Sequence, residues 1–297
     1  MIALSTKVDA ELAEKLEAHF CEWLRSPWSL LQEKPGQPYQ LSGYFEDLRE
    51  ATHAWQVLRK DFSELPEAPE SRDIDDADWQ NAYKAFIKPW QERDVHWVPL
   101  WERGSYAVPS GHTALYLDAG MAFGTGSHET TRMCLKGMLD FRESHPDSFA
   151  RAALIDAGCG SGILALTARK LGWQDVAGFD RDPEAVRVAQ ENLLENDLPE
   201  GAVHFFQASL EDGLCGQSAG LVVANIQADV LMLHVDDLLT SVQPCGWLVL
   251  SGVLAAEWAD TAAYFHQQAK LAWGSDTRKP QGETQGEWAA IRLERPA

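Results

Sequence analysis

Along this chain, short apolar runs typical of strands alternate with stretches in which apolar residues recur at helical spacing. This order predicts strands and helices in turn. Near the middle, the apolar stretch Leu154–Ala157 runs into glycines, and an apolar run of helical spacing then extends over Ile163–Leu171. A buried strand, a glycine loop and a helix in this order form the opening unit of a Rossmann-like sheet. Further strands are predicted at residues 175–179, 203–206, 221–224, 246–251, 271–273 and 288–293, and helices at 183–192, 226–242 and 255–269.

The alternation of strand and helix predicts an α/β fold with a mostly parallel sheet, and the last two strands predict an antiparallel terminal hairpin. The first 66 residues show a different order. They predict a strand at 1–4, a helix at 9–24, strands at 28–31 and 39–45, and a helix at 46–62, with room for a fourth strand. This βαββα order is that of a split βαβ unit, so we predict a small α+β ferredoxin-like domain there.

The domain boundaries follow from composition. We predict the ferredoxin-like domain at residues 1–66, and an acidic linker followed by a tryptophan-rich docking segment at 67–100. The sheet domain then occupies residues 101–297. Trp23 and Trp55 lie on the apolar faces of the first two helices, and we expect both in the core of the first domain rather than at a ligand site.

The glycine loop contains the first candidate chemistry. Its spacing is G-x-G-x-G, and Ile163 occupies the position where a dinucleotide fingerprint has its third glycine. The spacing, with Asp156 two positions ahead, resembles motif I of class I S-adenosylmethionine (SAM) methyltransferases. Asp180 ends the next strand about 20 residues further on, where a carboxylate can accept both ribose hydroxyls. Asp182 is the alternative, but with proline after it we interpret it as a helix N-cap.

Charge and cysteine content narrow the function classes. The formal net charge of −20 argues against a nucleic-acid substrate and favours a basic protein partner. The five cysteines are scattered without a C-x-x-C pair, so neither a disulfide framework nor a zinc site is indicated. The sequence shows neither a signal peptide nor an apolar run long enough for a membrane span, and we expect a cytoplasmic protein.

Three strings together resemble one family. They are AFGTGSHETT at 122–131, DAGCGSGILA at 156–165 and VVANI at 222–226. All three are similar to segments of the bacterial ribosomal-protein methyltransferase PrmA family, over roughly residues 79–295. The resemblance implies a class I methyltransferase domain at 101–297 and a small substrate-recognition domain before it. It also implies that the acceptor is the large-subunit stalk-base protein numbered eleven.

The resemblance further implies that SAM is held by four residues. Thr131 would approach the methionine end, Gly158 would form the main-chain wall, Asp180 would bind the ribose, and Asn225 would lie near the reacting methyl. An alternative role for Asn225 is to cap the following helix. The string at 122–131 precedes a helix predicted from about 130 to 141, with Thr130 or Thr131 as N-cap, and is expected to fold over the ligand.

The acceptor is expected to be an amine. Asn225 is not followed by Pro-Pro-aromatic, the string expected of enzymes that methylate amide or adenine nitrogens, and this favours an amine acceptor. We expect the methylated amines to be lysine ε-amines or an N-terminal α-amine. We assign no general base, because the sulfonium is already activated and the site needs to align an unprotonated nitrogen. His128 is the nearest candidate base and is interpreted as structural. The alternatives are methylation of another protein, an NAD-dependent oxidoreductase, or a SAM-binding module without catalysis.

Overall fold

The computed structural model describes residues 2–21, 27–31, 38–45, 47–73, 88–117 and 128–297. The chain divides into two compact units, Met1–Phe86 and Ile87–Ala297. The described strands are β1 (Ile2–Val8), β2 (Trp28–Leu31), β3 (Tyr39–Phe45), β4 (Glu70–Asp73), β5 (Trp90–Glu92), β6 (Val95–Pro99), β7 (Thr113–Leu117), β8 (Leu154–Ala157), β9 (Val176–Asp180), β10 (His204–Gln207), β11 (Ala219–Asn225), β12 (Val242–Leu254), β13 (Gln281–Gln285) and β14 (Trp288–Glu294). The described α-helices are α1 (Ala10–Cys21), α2 (Leu48–Asp61), α3 (Glu129–Ser144), α4 (Ile163–Leu171), α5 (Pro183–Glu195), α6 (Leu210–Leu214), α7 (Ala228–Leu233), α8 (Val235–Thr240) and α9 (Trp258–Trp273).

The first unit is an antiparallel sheet with two described helices. Its strand order is β2-β3-β1-β4, with β1 between β3 and β4. Helix α2 begins at the N-cap Asp47, whose side chain accepts a hydrogen bond from the Glu50 amide, and it buries Ala51, Trp55 and Leu58 at helical spacing. Trp55 thus lies in the core as expected, whereas Trp23 lies outside the described residues. Strand β4 falls within the stretch predicted as the linker and docking segment and pairs with β1.

The second unit is organised around a mixed, mostly parallel sheet, as predicted. Among the described strands its order is β10-β9-β8-β11-β12-β14-β13, parallel from β10 to β12 and antiparallel from β12 to β13. Strand β11 is apolar up to Asn225 and has both faces covered, because helices pack on each side of the sheet. Leu221 and Val223 pack with α3, α4 and α5 in one apolar cluster, while Val222 and Ala224 pack with α7, α8 and α9 in the other.

Two local predictions are wrong. The helix predicted over 226–242 is two short helices, α7 and α8, separated at His234. The strand predicted at 271–273 is the last turn of α9, and the hairpin is built from β13 and β14 instead. Strand β13 is an edge strand that is mostly exposed, so it needs no apolar face and its composition resembles that of a loop.

A smaller sheet precedes the main one in the second unit. Its order is β5-β6-β7, and every residue of β6 is buried. The tryptophan-rich segment contributes Trp97, whose indole Nε1 donates to Thr167 Oγ1 of α4 at 2.9 Å. This sheet is therefore tied to the helix that follows the glycine loop. None of the helices in the described ranges has both the length and the apolar character that a bilayer crossing requires.

Candidate active site

Three predicted site residues stand side by side at one edge of the main sheet. In the register of the sheet, Ala157 of β8 pairs with Ala224 of β11 on one side and with Phe179 of β9 on the other. The next residue along each strand is Gly158, Asn225 or Asp180. Because parallel strands lie about 4.8 Å apart, the three occupy a row of about 10 Å beyond the carboxyl ends of the strands. This edge is where open α/β sheets bind their ligands.

The glycine loop is a sharply folded backbone segment. Gly158, Gly160 and Gly162 have positive φ values of 71°, 52° and 77°, which favour glycine. A Cβ on Gly158 would lie 2.8 Å from Cδ1 of Ile226, so the residue after Asn225 packs directly against the loop. From the other side, Asn192 of α5 donates through Nδ2 to the Ser161 carbonyl at 3.0 Å. The loop is thus held by the packing of Ile226 and by the hydrogen bond from Asn192.

Asp156 is the most buried acid of the site and has a structural partner. Its carboxylate accepts a hydrogen bond from the Ala165 amide at 3.1 Å, in the first turn of α4, where backbone amides lack partners and favour negative charge. Its side chain is 1% exposed. Burial raises the pKa of Asp156 to about 7, the Ala165 hydrogen bond opposes that rise, and the Asp180 charge adds to it. The acid that precedes the glycine loop therefore anchors the helix that follows it.

Asp180 is held in place by backbone amides on both of its oxygens. Oδ2 accepts from the Gly160 amide at 3.0 Å, and Oδ1 accepts from the Asp182 amide at 3.0 Å. A carboxylate has about four acceptor sites, so each oxygen retains capacity for one further donor. The arrangement can accept a pair of neighbouring hydroxyls. The alternative residue, Asp182, instead caps α5 by accepting from the Glu184 amide, with Pro183 at the first helical position, as predicted.

Asn225 and Thr131 are brought together although 94 residues separate them in sequence. The Asn225 Nδ2 group donates to Thr131 Oγ1 at 3.2 Å, and Thr131 lies buried in the first turn of α3. Asn225 does not cap the following helix, because Gln227 holds the N-cap position of α7. Through this contact Thr131, the fourth predicted site residue, joins the row formed by the other three.

The prediction of the α3 cap is wrong. Neither Thr130 nor Thr131 is the N-cap, which is His128. Its Nδ1 accepts from the Thr130 amide at 3.4 Å and lies 2.7 Å from the Thr130 hydroxyl. A histidine in this position has no ordinary N-cap signal, since the preferred residues are serine, threonine, aspartate and asparagine. The rest of the loop predicted to fold over the ligand, up to residue 127, lies outside the described residues.

Sequence reasoning missed two partners of the site. The first is the Gly160 amide, which orients Asp180 and which the sequence indicated only as part of the glycine loop. The second is Trp288, whose ring lies 4.9 Å from the His128 ring at an angle of 66°. Its position at the start of β14 was predicted, but strand periodicity carries no information on which helix terminus the ring would meet.

A family model and two sequence relatives identify one family. A family model described as "Ribosomal protein L11 methyltransferase (PrmA)" matches residues 7–296. A ribosomal protein L11 methyltransferase of Caldanaerobacter subterraneus subsp. tengcongensis is 35% identical over 246 residues, which cover 80% of this chain and 75% of that protein. The Myxococcus xanthus protein of the same name is 33% identical over 270 residues, with 88% and 83% covered.

A solved structure agrees with these relatives. The crystal structure of ribosomal protein L11 methylase from Lactobacillus delbrueckii subsp. bulgaricus matches with a TM-score of 0.59 and 25% identity. The match covers 71% of this chain and all of that one. The alternative of an NAD-dependent oxidoreductase is not favoured by any of these matches.

Proposed function

This chain belongs to the ribosomal protein L11 methyltransferase (PrmA) family, and from that premise we propose that it methylates amines of ribosomal protein L11. It is a SAM-dependent protein methyltransferase. The proposed acceptors are lysine ε-amines, the N-terminal α-amine, or both. A ribosomal acceptor also makes the cytoplasm the expected place of action. The observation that carries the proposal is the row of Asp180, Gly158 and Asn225 on three neighbouring strand ends.

The residues at this edge fit SAM. The carboxylate of Asp180 is oriented by two backbone amides and can accept the two ribose hydroxyls. Gly158 has a positive φ that favours glycine, and Ile226 packs where a Cβ would project. Its main chain is the part of this residue that would contact the ligand. Thr131 would contact the methionine end from the first turn of α3. No phosphate-binding amides are needed, because SAM has no pyrophosphate, and Asp156 already accepts from the N-terminal turn of α4.

Asn225 is proposed to act next to the reacting atoms. When bound, SAM supplies a methyl group on a sulfonium that is already activated for transfer. The Asn225 amide has two N–H donors and one acceptor oxygen, and its contact with Thr131 uses one donor and fixes the amide plane. Such a group can orient the acceptor nitrogen in line with the methyl. Asn225 cannot remove a proton, so the amine must lose its proton to solvent, which desolvation of the amine favours.

The proposal is tested with the full chain, purified L11 and SAM labelled in its methyl group. We expect label in L11, and mass spectrometry should place the added methyl groups on lysine side chains or on the N-terminus. Absence of transfer to L11, with transfer to another protein of a cell extract, would contradict the proposed acceptor. Absence of transfer to any protein would contradict catalysis itself.

Two neighbouring carboxylates provide a matched test of the cofactor site. Replacing Asp180 with alanine removes two charge-assisted hydrogen bonds to the ribose. We therefore expect affinity for S-adenosylhomocysteine, measured by calorimetry, to fall about 100-fold. The control is Asp182→Ala, which removes the α5 cap only and should lower stability by about 1 kcal/mol while leaving that affinity within about twofold. Equal losses in the two variants would mean that Asp180 does not bind the ribose.

A further inference from the structure

Trp288 and His128 form an aromatic pair at the same end of the sheet as Asn225, and the proposed function does not yet use it. Their rings meet edge to face at 4.9 Å, and both side chains are partly exposed. Trp288 begins β14, opposite Leu254 at the end of β12. His128 caps α3, three residues before Thr131. The pair therefore joins the carboxyl edge of the sheet to the helix turn that contacts Asn225.

The sheet register places Trp288 two strands away from Asn225, at the same end of the sheet as the row of site residues. Asn225 pairs with Ser251 of β12, and Ser251 pairs with Ala290 of β14. Two strand spacings, about 10 Å, separate Asn225 from Ala290. Trp288 lies two residues before Ala290 and so projects from the same face of β14. This is the face on which α3 packs, since Asn225 contacts Thr131 and Trp288 contacts His128 of the same helix terminus.

The carboxyl end of the sheet differs chemically between β9 on one side and β14 on the other. At the β9 end, Asp180 and the glycine loop offer hydrogen-bonding groups for a sugar and a main-chain wall. At the β14 end, the site offers two rings, and the residues adjoining them in sequence are the acids Glu129 and Glu287. A lysine acceptor has a four-carbon stem and arrives mainly as an ammonium at neutral pH. An indole face binds both parts, the stem by apolar contact and the cation through the ring quadrupole.

We propose that the His128–Trp288 pair is the acceptor-side wall of the site, with Trp288 binding the stem and ammonium of the amine that Asn225 then receives. The proposal rests on the proposed function, because it assigns the acceptor of that same reaction. Trp288 acts before transfer, in binding the acceptor, and it is placed away from the ribose end. Its removal should therefore change KM for the protein acceptor and leave cofactor affinity unchanged.

The test measures methylation of L11 and binding of S-adenosylhomocysteine by Trp288→Leu and Trp288→Phe. We expect Trp288→Leu to raise KM for L11 about 10-fold with kcat changed less than threefold, the loss of an aromatic contact with a cation. Trp288→Phe retains a ring and should recover most of this loss. Affinity for S-adenosylhomocysteine should stay within twofold in both variants. Calorimetric binding of L11 to the enzyme saturated with S-adenosylhomocysteine should weaken in parallel with KM.

Trp258→Leu is the matched control. Trp258 is also partly buried against the terminal hairpin, where its Nε1 donates to the Ala290 carbonyl at 3.2 Å, but it packs on the opposite face of the sheet. We expect this variant to lose stability without any change in KM for L11. An unchanged KM in Trp288→Leu, or an equal rise in Trp258→Leu, would overturn the proposal. If the unaltered enzyme fails to methylate L11 at all, the proposed function fails first, so the two failures are distinguishable.

Discussion

At the scale of single residues, Asp156 has the clearest energetic signature. Its carboxyl is buried and its pKa is raised to about 7, so the folded chain binds a proton more tightly than the unfolded chain does. The stability associated with this group is fully present below about pH 4 and is lost as the pH rises toward 7. Asp156→Asn has the same shape, keeps an oxygen that can accept from the Ala165 amide, and does not ionise.

We therefore expect the free energy of unfolding of Asp156→Asn, relative to the unaltered protein, to increase between pH 4 and pH 7. The total change is on the order of 4 kcal/mol, from about three pKa units at 1.36 kcal/mol each. Urea unfolding of both proteins at several pH values measures it, and contributions of other carboxylates cancel in the difference. Parallel stability curves for the two proteins would show that Asp156 is not held in its neutral form.

At the scale of elements, the β8 strand, glycine loop and α4 helix form one unit whose packing depends on Gly162. This residue has a φ of 77° and is the N-cap of α4. A Cβ there would lie 2.8 Å from Phe205 Cζ and 2.9 Å from the Ala189 Cβ. We expect Gly162→Ala to destabilise the protein by about 2 to 5 kcal/mol, since backbone strain and overpacking add. The midpoint of urea unfolding measures the loss.

Gly201→Ala separates the two contributions. Gly201 has nearly the same φ, 79°, but a Cβ there would meet nothing within 4 Å. Its substitution should cost only the backbone term, about 1 to 2 kcal/mol. If the two variants were equally destabilised, close packing of helix and loop could not be the reason for the third glycine.

The local pattern of apolar and polar residues was enough to predict this unit. It did not predict features that depend on tertiary packing. The β8 strand, the loop and α4 were predicted at their observed positions because burial, turn and helical period all agree there. Strand β13 was missed because an exposed edge strand has no apolar face. The contact between Asn225 and Thr131 could not be derived from periodicity, since it depends on where α3 packs. Only the family resemblance placed Asn225 and Thr131 in the same predicted SAM site.

At the scale of the whole molecule, the charge of −20 is the feature that should govern encounter with the acceptor. Acidic residues outnumber basic ones in both units, so the negative potential is not confined to one of them. A protein that presents lysine ammonium groups is attracted over the Debye length, and added salt shortens that length from about 10 Å at 0.1 M to about 3 Å at 1 M. S-adenosylhomocysteine carries no net charge at neutral pH and feels little of this attraction.

We expect kcat/KM for L11 to fall about 10-fold between 50 and 300 mM NaCl, because steering by opposite charge acts on the association rate. Affinity for S-adenosylhomocysteine, measured over the same range, should change less than twofold, which excludes a general effect of salt on the site. Steady-state kinetics with labelled SAM at saturating concentration give the first quantity. If kcat/KM stayed constant or rose with salt, the acidity of this chain would serve solubility alone, and recognition of L11 would depend on short-range contacts such as the one proposed for Trp288.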